Sequence, residues 1–137
     1  MSSPLVAVEF LTRLRVRRTP RGDLEQVARA QMWFPAVGLL IGALLVGIDR
    51  LAMKALAPQS VDVLLVVALA LITGGLHLDG LADTADGLFG GYSRERRLEI
   101  MRDVHAGSFA IIAIVAALAL KWAGLTALPP SVRVETL

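Results

Sequence analysis

Uncharged residues run without interruption in three places along the chain. Residues 30–48 give 19 such positions, 63–78 give 16 and 104–120 give 17. Wound as an α-helix at about 1.5 Å per residue, the first run covers roughly 28 Å, close to the hydrocarbon thickness of about 30 Å. The second is short, and spans only with local bilayer thinning or with Asp62 and Asp79 near the two interfaces. The third reaches a full span over 104–127 when the Lys121 ammonium snorkels out of the apolar layer. Between the second and third runs the pattern changes. Leu81, Ala82, Ala85 and Leu88 recur among polar positions at helical spacing, which predicts an amphipathic helix. Gly87, Gly90 and Gly91 then predict a sharp turn, and Ser93 an N-cap for a short helix carrying Arg96, Arg97 and Glu99. The expected fold is all-α: a polytopic membrane protein with about three transmembrane helices and a cytoplasmic acidic amphipathic segment, forming one integral membrane domain over residues 1–137.

Composition agrees with that pattern. With 55% hydrophobic and 19% charged residues and a mean hydropathy of +0.65, little polar surface remains to cover three apolar helices in water. The net charge is only +2 and the arginines stand in blocks beside apolar runs, so nucleic acid is not an expected partner. The absence of cysteine excludes disulfides and thiolate metal sites. The N-terminus lacks the basic, apolar and small-residue succession of a removable secretion signal, so none is expected.

Basic residues set the expected orientation. Arg13, Arg15, Arg17, Arg18, Arg21 and Arg29 precede the first run, and Arg94, Arg96, Arg97 and Arg102 follow the second. Only Arg50, Lys54, Lys121 and Arg133 lie on the other side. The positive-inside rule therefore puts the N-terminus and residues 79–103 in the cytoplasm, the compartment that holds nucleotides.

The acidic segment carries the candidate chemistry. Relative to Asp79, helical geometry sets Asp83 at about +40° and Asp86 at about −20°, so all three carboxylates fall within an arc of roughly 60°. Like charges at this spacing repel, and a bound cation relieves the repulsion; the bland alternative is a solvated acidic face. Oxygen-only ligands favour a hard ion such as Mg²⁺, which commonly joins one or two carboxylates to substrate phosphates. Arg94, Arg97 and Arg102 are candidates to hold those phosphates, since guanidinium matches their oxygens bidentately; the competing reading is a cluster that only sets topology. Asp103 either extends the metal site or pairs with a neighbouring arginine.

The histidines are less informative. His77 lies about 160° around the helix from Asp79, which disfavours a shared ligand role and leaves a proton acceptor, a substrate contact or an interfacial polar residue. His105 stands beside Ala106-Gly107 without an obvious triad partner. No P-loop, Ser-His-Asp or His-Glu-x-x-His pattern is present.

The run Gly74-Gly75-Leu76-His77-Leu78-Asp79-Gly80-Leu81-Ala82-Asp83-Thr84-Ala85-Asp86-Gly87 resembles the signature of the cobalamin synthase family, the adenosylcobinamide-GDP ribazoletransferases. Three collinear blocks are also similar to that family: Phe10-Leu11-Thr12-Arg13-Leu14, the run from Trp33 to Gly42, and Arg97-Leu98-Glu99-Ile100-Met101-Arg102-Asp103. Together they cover nearly residues 7–110. Arg15 stands where the family pattern usually has proline, so the local turn is expected to differ.

The resemblance implies a membrane enzyme of the last stage of cobalamin assembly. Such an enzyme joins adenosylcobinamide-GDP to α-ribazole or its 5′-phosphate, releases GMP and requires Mg²⁺. On this reading Asp79, Asp83 and Asp86 hold Mg²⁺ against the diphosphate, with one of them accepting the hydroxyl proton. Arg94, Arg97, Arg102 and His77 contact substrate. The expected location is the cell inner membrane, with self-association left open. Family members continue through further membrane helices, so the chain is expected to represent an N-terminal portion of the family fold.

Two other functions fit parts of the sequence. A CDP-alcohol phosphotransferase also uses aspartates on membrane helices, but Asp83 stands where that pattern wants Ala-Arg. A non-catalytic membrane subunit or transporter fragment is compatible with carboxylates among apolar spans.

Overall fold

A computed structural model of the chain describes residues 4–14 and 24–129. Every regular element among them is helical: α1 (Pro4–Leu11), α2 (Leu24–Ala30), a 3-10 turn (Gln31–Trp33), α3 (Phe34–Ala52), α4 (Pro58–Ile72), α5 (Leu76–Gly90), α6 (Arg94–Ile100) and α7 (Ser108–Thr126). Of the basic residues that set the expected orientation, Arg15, Arg17, Arg18, Arg21 and Arg133 lie outside the described residues. The helices form two compact units, α1 to α4 in one and α5 to α7, residues 75–127, in the other.

In the first unit the apolar faces of α1, α2 and α3 meet. Val6, Ala7, Ala30 and Val37 are buried there, with Leu11, Val27, Phe34 and Ile41 packed against them. The rings of Phe10 and Phe34 stack with centroids 5.6 Å apart. Prolines open both long helices, at Pro35 in α3 and Pro58 in α4, where a missing N–H leaves no helical bond unmade. Leu45 of α3 and Val61, Leu65 and Val66 of α4 are buried where these two helices pack. Two carboxylates are buried as well: Asp49 in α3 is 3% exposed and Asp62 in α4 only 1%. The Arg13 amide donates to the Ile72 carbonyl at 2.9 Å, tying the end of α1 to the end of α4.

Beyond Ile72 the helix stops. The Thr73 hydroxyl donates back to the Leu69 carbonyl at 2.9 Å, and Gly74 and Gly75 follow with φ of +64° and +72°. A right-handed helix cannot continue through two left-handed residues, so the uncharged run over 63–78 is divided between α4 and α5. Both glycines are uncharged, and hydropathy alone could not reveal the break.

Among the described residues, two helical stretches are long and apolar enough to cross a membrane: residues 25–52, where α2 and the 3-10 turn continue into α3, and α7. A third exists if α4 and α5 count as one broken span. Leu39, Leu40, Leu44 and Leu51 on α3, and Ile111, Ile112, Val115 and Leu120 on α7, are exposed. Such continuous apolar exposure suits lipid and not water.

In the second unit α5 packs chiefly on α7 and also on α6, burying Ala82, Ala85 and Gly87. Small side chains permit this close approach: a Cβ on Gly87 would lie 2.8 Å from the Met101 side chain. Ser93 caps α6, its side chain accepting the Arg96 N–H at 3.2 Å, as the sequence suggests.

The glycines give a stability test. A Cβ at Gly75 meets nothing within 4 Å, so Gly75→Ala suffers only the left-handed backbone, about 1–2 kcal/mol. Gly80 is equally open but lies inside α5, where alanine gains about 0.5–1 kcal/mol. Thermal denaturation in detergent micelles should show Gly75→Ala unfolding below the parent and Gly80→Ala above it.

Candidate functional site

Helix α5 carries all three aspartates of the signature run, and their surroundings differ. Asp79 in the first turn is exposed, Asp83 one turn on is half-buried, and Asp86 is only 8% exposed. Asp86 Oδ2 accepts the Gly107 N–H at 2.6 Å and Oδ1 accepts the Ala110 N–H at 2.8 Å. Gly107 is the N-cap position of α7, so this carboxylate satisfies two of the amides that a helix start leaves without partners. It also sets a negative charge at the positive end of the helix dipole.

The side chains of Asp79 and Asp83 make no hydrogen bond or ion pair among the described residues. Nor do those residues contain a group of three His, Cys, Asp or Glu side chains arranged to hold a metal. Asp79, Asp83 and Asp86 are thus brought onto one helix, but Asp86 is engaged with α7 while the other two keep their oxygens available. Two oxygen-only carboxylates without protein partners suit a hard divalent cation that completes its shell with phosphate and water.

The arginines also separate. Arg97 Nε donates to the Gly91 carbonyl at 2.9 Å, closing the turn between α5 and α6. A Cβ on Gly91 would sit 2.6 Å from the Arg97 side chain and 2.9 Å from its amide nitrogen, so that turn requires glycine. Arg94 and Arg102 are exposed, without a side-chain partner among the described residues. Arg96 pairs with Glu99 at 2.7 Å on the outer face of α6. His77 is exposed in the first turn of α5 and makes no side-chain contact of this kind.

Two contacts differ from what the residue order predicts. Asp103 pairs with His105 and not with an arginine: its Oδ1 lies 2.7 Å from His105 Nδ1 and accepts the His105 N–H at 3.0 Å. An aspartate that bonds the backbone two residues on is a recognised turn former, so Asp103-Val104-His105 held a usable signal. The grip of Asp86 on Gly107 and Ala110 spans 21 and 24 residues and had no local signal.

Hydrogen bonding to His105 lowers the Asp103 carboxyl below its ordinary value of 3.8. The sign follows from that depression: the contact is present above the ordinary carboxylate range and is lost as pH falls through the lowered value. Carbon-13 NMR titration of the Asp103 carboxyl should give a midpoint below 3.8, rising toward the ordinary value in His105→Ala, which removes the imidazole and keeps the backbone amides.

The chain matches the family model described as cobalamin-5-phosphate synthase over residues 3–137. It is 41% identical over 127 residues to a protein of Acetivibrio thermocellus named adenosylcobinamide-GDP ribazoletransferase, covering 93% of this chain and 51% of that one. Proteins of the same name from Shewanella pealeana and Geotalea daltonii are 42% and 44% identical, over 90% and 89% of this chain and 48% and 49% of theirs. The chain thus spans about half the length of the curated relatives it matches. No solved structure gives a significant match. A match over nearly the whole sequence, with the acidic helix and its glycine-lined turn inside it, means that this chain belongs to the cobalamin-5-phosphate synthase family.

Proposed function

We propose that the chain provides the phosphate-handling part of an adenosylcobinamide-GDP ribazoletransferase, acting at the cytoplasmic face of the inner membrane. The observation that carries this reading is the pair Asp79 and Asp83, one helical turn apart on α5, whose side chains have no partner among the described residues, followed by the guanidiniums of Arg94 and Arg102, likewise without a partner among them. The relatives' shared name supplies the substrate, adenosylcobinamide-GDP.

The chemistry asked of these residues is phosphoryl transfer. A hydroxyl of α-ribazole forms a new P–O bond at the phosphorus nearer the cobinamide. The bond between that phosphorus and the bridging oxygen breaks, and the oxygen leaves as part of GMP. Such a transfer depends mainly on alignment and on neutralising phosphate charge. Asp79 and Asp83 would hold Mg²⁺, which when bound neutralises diphosphate oxygens. One of the two carboxylates accepts the hydroxyl proton. Arg94 and Arg102 orient the diphosphate, and the Nη groups of Arg97 remain able to join them while its Nε secures the turn.

The chain in lipid vesicles with Mg²⁺, adenosylcobinamide-GDP and α-ribazole should release GMP, and Asp83→Asn should lower the rate by about 100-fold or more while leaving membrane insertion intact. Failure of this chain beside an active full-length relative overturns the reading. Because the sequence has no cysteine, single substitutions report orientation cleanly. Cysteine at Glu95 should react with an impermeant maleimide only from the cytoplasmic side, and cysteine at Lys54 only from the other.

A further inference from the structure

The geometry points to a division of labour within the aspartate run, in which Asp86 is a positioning residue and not a metal ligand. Its carboxylate seats the start of α7, and with it the loop over residues 101–107 that bears Asp103 and His105, on the acidic helix. The inference rests on the proposed metal role of Asp79 and Asp83 only in the contrast it draws; the clamp itself stands on its own contacts.

Four observations carry it. Both Asp86 oxygens are engaged, one on the Gly107 amide and one on the Ala110 amide, while the side chain is almost fully buried. The partner is the N-terminus of a 19-residue helix, whose dipole favours a fixed negative charge there. Gly107 fits the clamp and nothing larger does: an added Cβ would lie 2.7 Å from Asp86 Oδ1 and 2.9 Å from Oδ2. One residue further along α5, Gly87 admits the Met101 side chain at 2.8 Å from its own Cβ position, so both ends of the loop are drawn close to the same helical turn.

To serve a metal as well, Asp86 would have to open its almost fully buried side chain to a hydrated cation while still holding the Gly107 amide and the buried Ala110 amide. Asp79 and Asp83 face no such conflict. The repeated aspartates share an arc of α5 but do different work: two offer open oxygens, and the third fixes the element that packs beside them. Through Gly107 it also determines where the Asp103–His105 pair stands, since only Ala106 separates His105 from the clamped residue.

The test uses the chain in lipid nanodiscs, with Mn²⁺ binding followed by electron paramagnetic resonance and amide exchange at Gly107 and Ala110 followed by NMR. Asp86→Ala should speed exchange of both amides by about tenfold or more, and Asp86→Asn, which keeps one acceptor oxygen, should fall between it and the parent. Gly107→Ala should loosen the clamp with the carboxylate intact, and combining it with Asp86→Ala should add little. In all three single variants Mn²⁺ affinity should stay within about twofold of the parent, whereas Asp83→Asn should weaken it by about tenfold or more without altering exchange. In GMP release, Asp86→Ala should lower kcat with the Mg²⁺ concentration for half-maximal rate unchanged, and Asp86→Asn should restore part of that loss. Unchanged exchange in Asp86→Ala, or a loss of Mn²⁺ binding matching that of Asp83→Asn, overturns the inference. Absence of Mn²⁺ binding in the parent counts against the metal reading instead, and the exchange result still decides the clamp.

Discussion

A carboxylate resting on the first amides of a helix is the interaction on which the α5–α7 unit depends. Helix α5 is poorly suited to stand alone: it has three like charges and three glycines in 15 residues, and only part of its surface is apolar. Propensity of that kind does not sustain a short helix, and tertiary contact must. Asp86 removes one of the mutually repelling charges from solvent and satisfies two amides of α7 that would otherwise be left over. The same contact therefore stabilises both partners, one electrostatically and the other by completing its backbone bonding.

Around it, packing is by subtraction. Ala82, Ala85 and Gly87 present almost no side chain to their neighbours, so backbone and short side chains meet directly. This is the logic of helix contacts in lipid, where apolar tails offer little drive toward association and close fit supplies it. The large apolar residues of α7 remain on the outside. The unit is thus small-residue within and greasy without, the reverse of a water-soluble bundle.

Much of this could be read from residue order, and the remainder has definite physical causes. Uncharged length located α3 and α7, although the α3 helix runs to Ala52, past Asp49 and Arg50, because Asp49 is buried by packing that a count of charges does not foresee. The division at Thr73 to Gly75 escaped hydropathy, since it is a property of backbone dihedral angle. Helical spacing put Asp79, Asp83 and Asp86 on one arc, and they do share one helix. Spacing could not tell which of them meets α7, because that depends on a residue 21 positions away. Ser93 and its short basic helix were legible because capping is a local matter. The Asp103–His105 pair was equally local and was overlooked.

The contact between Gly87 and Met101 bears on how such sequences can drift. The methionine occupies the volume that any β-carbon at position 87 would claim, and Gly107 stands in the same relation to Asp86. Neither glycine can be exchanged unless its counterpart shrinks or swings aside in the same lineage. Substitutions in the acidic helix and in the loop beyond α6 are therefore tied together in inheritance, and descendants should carry them as matched pairs.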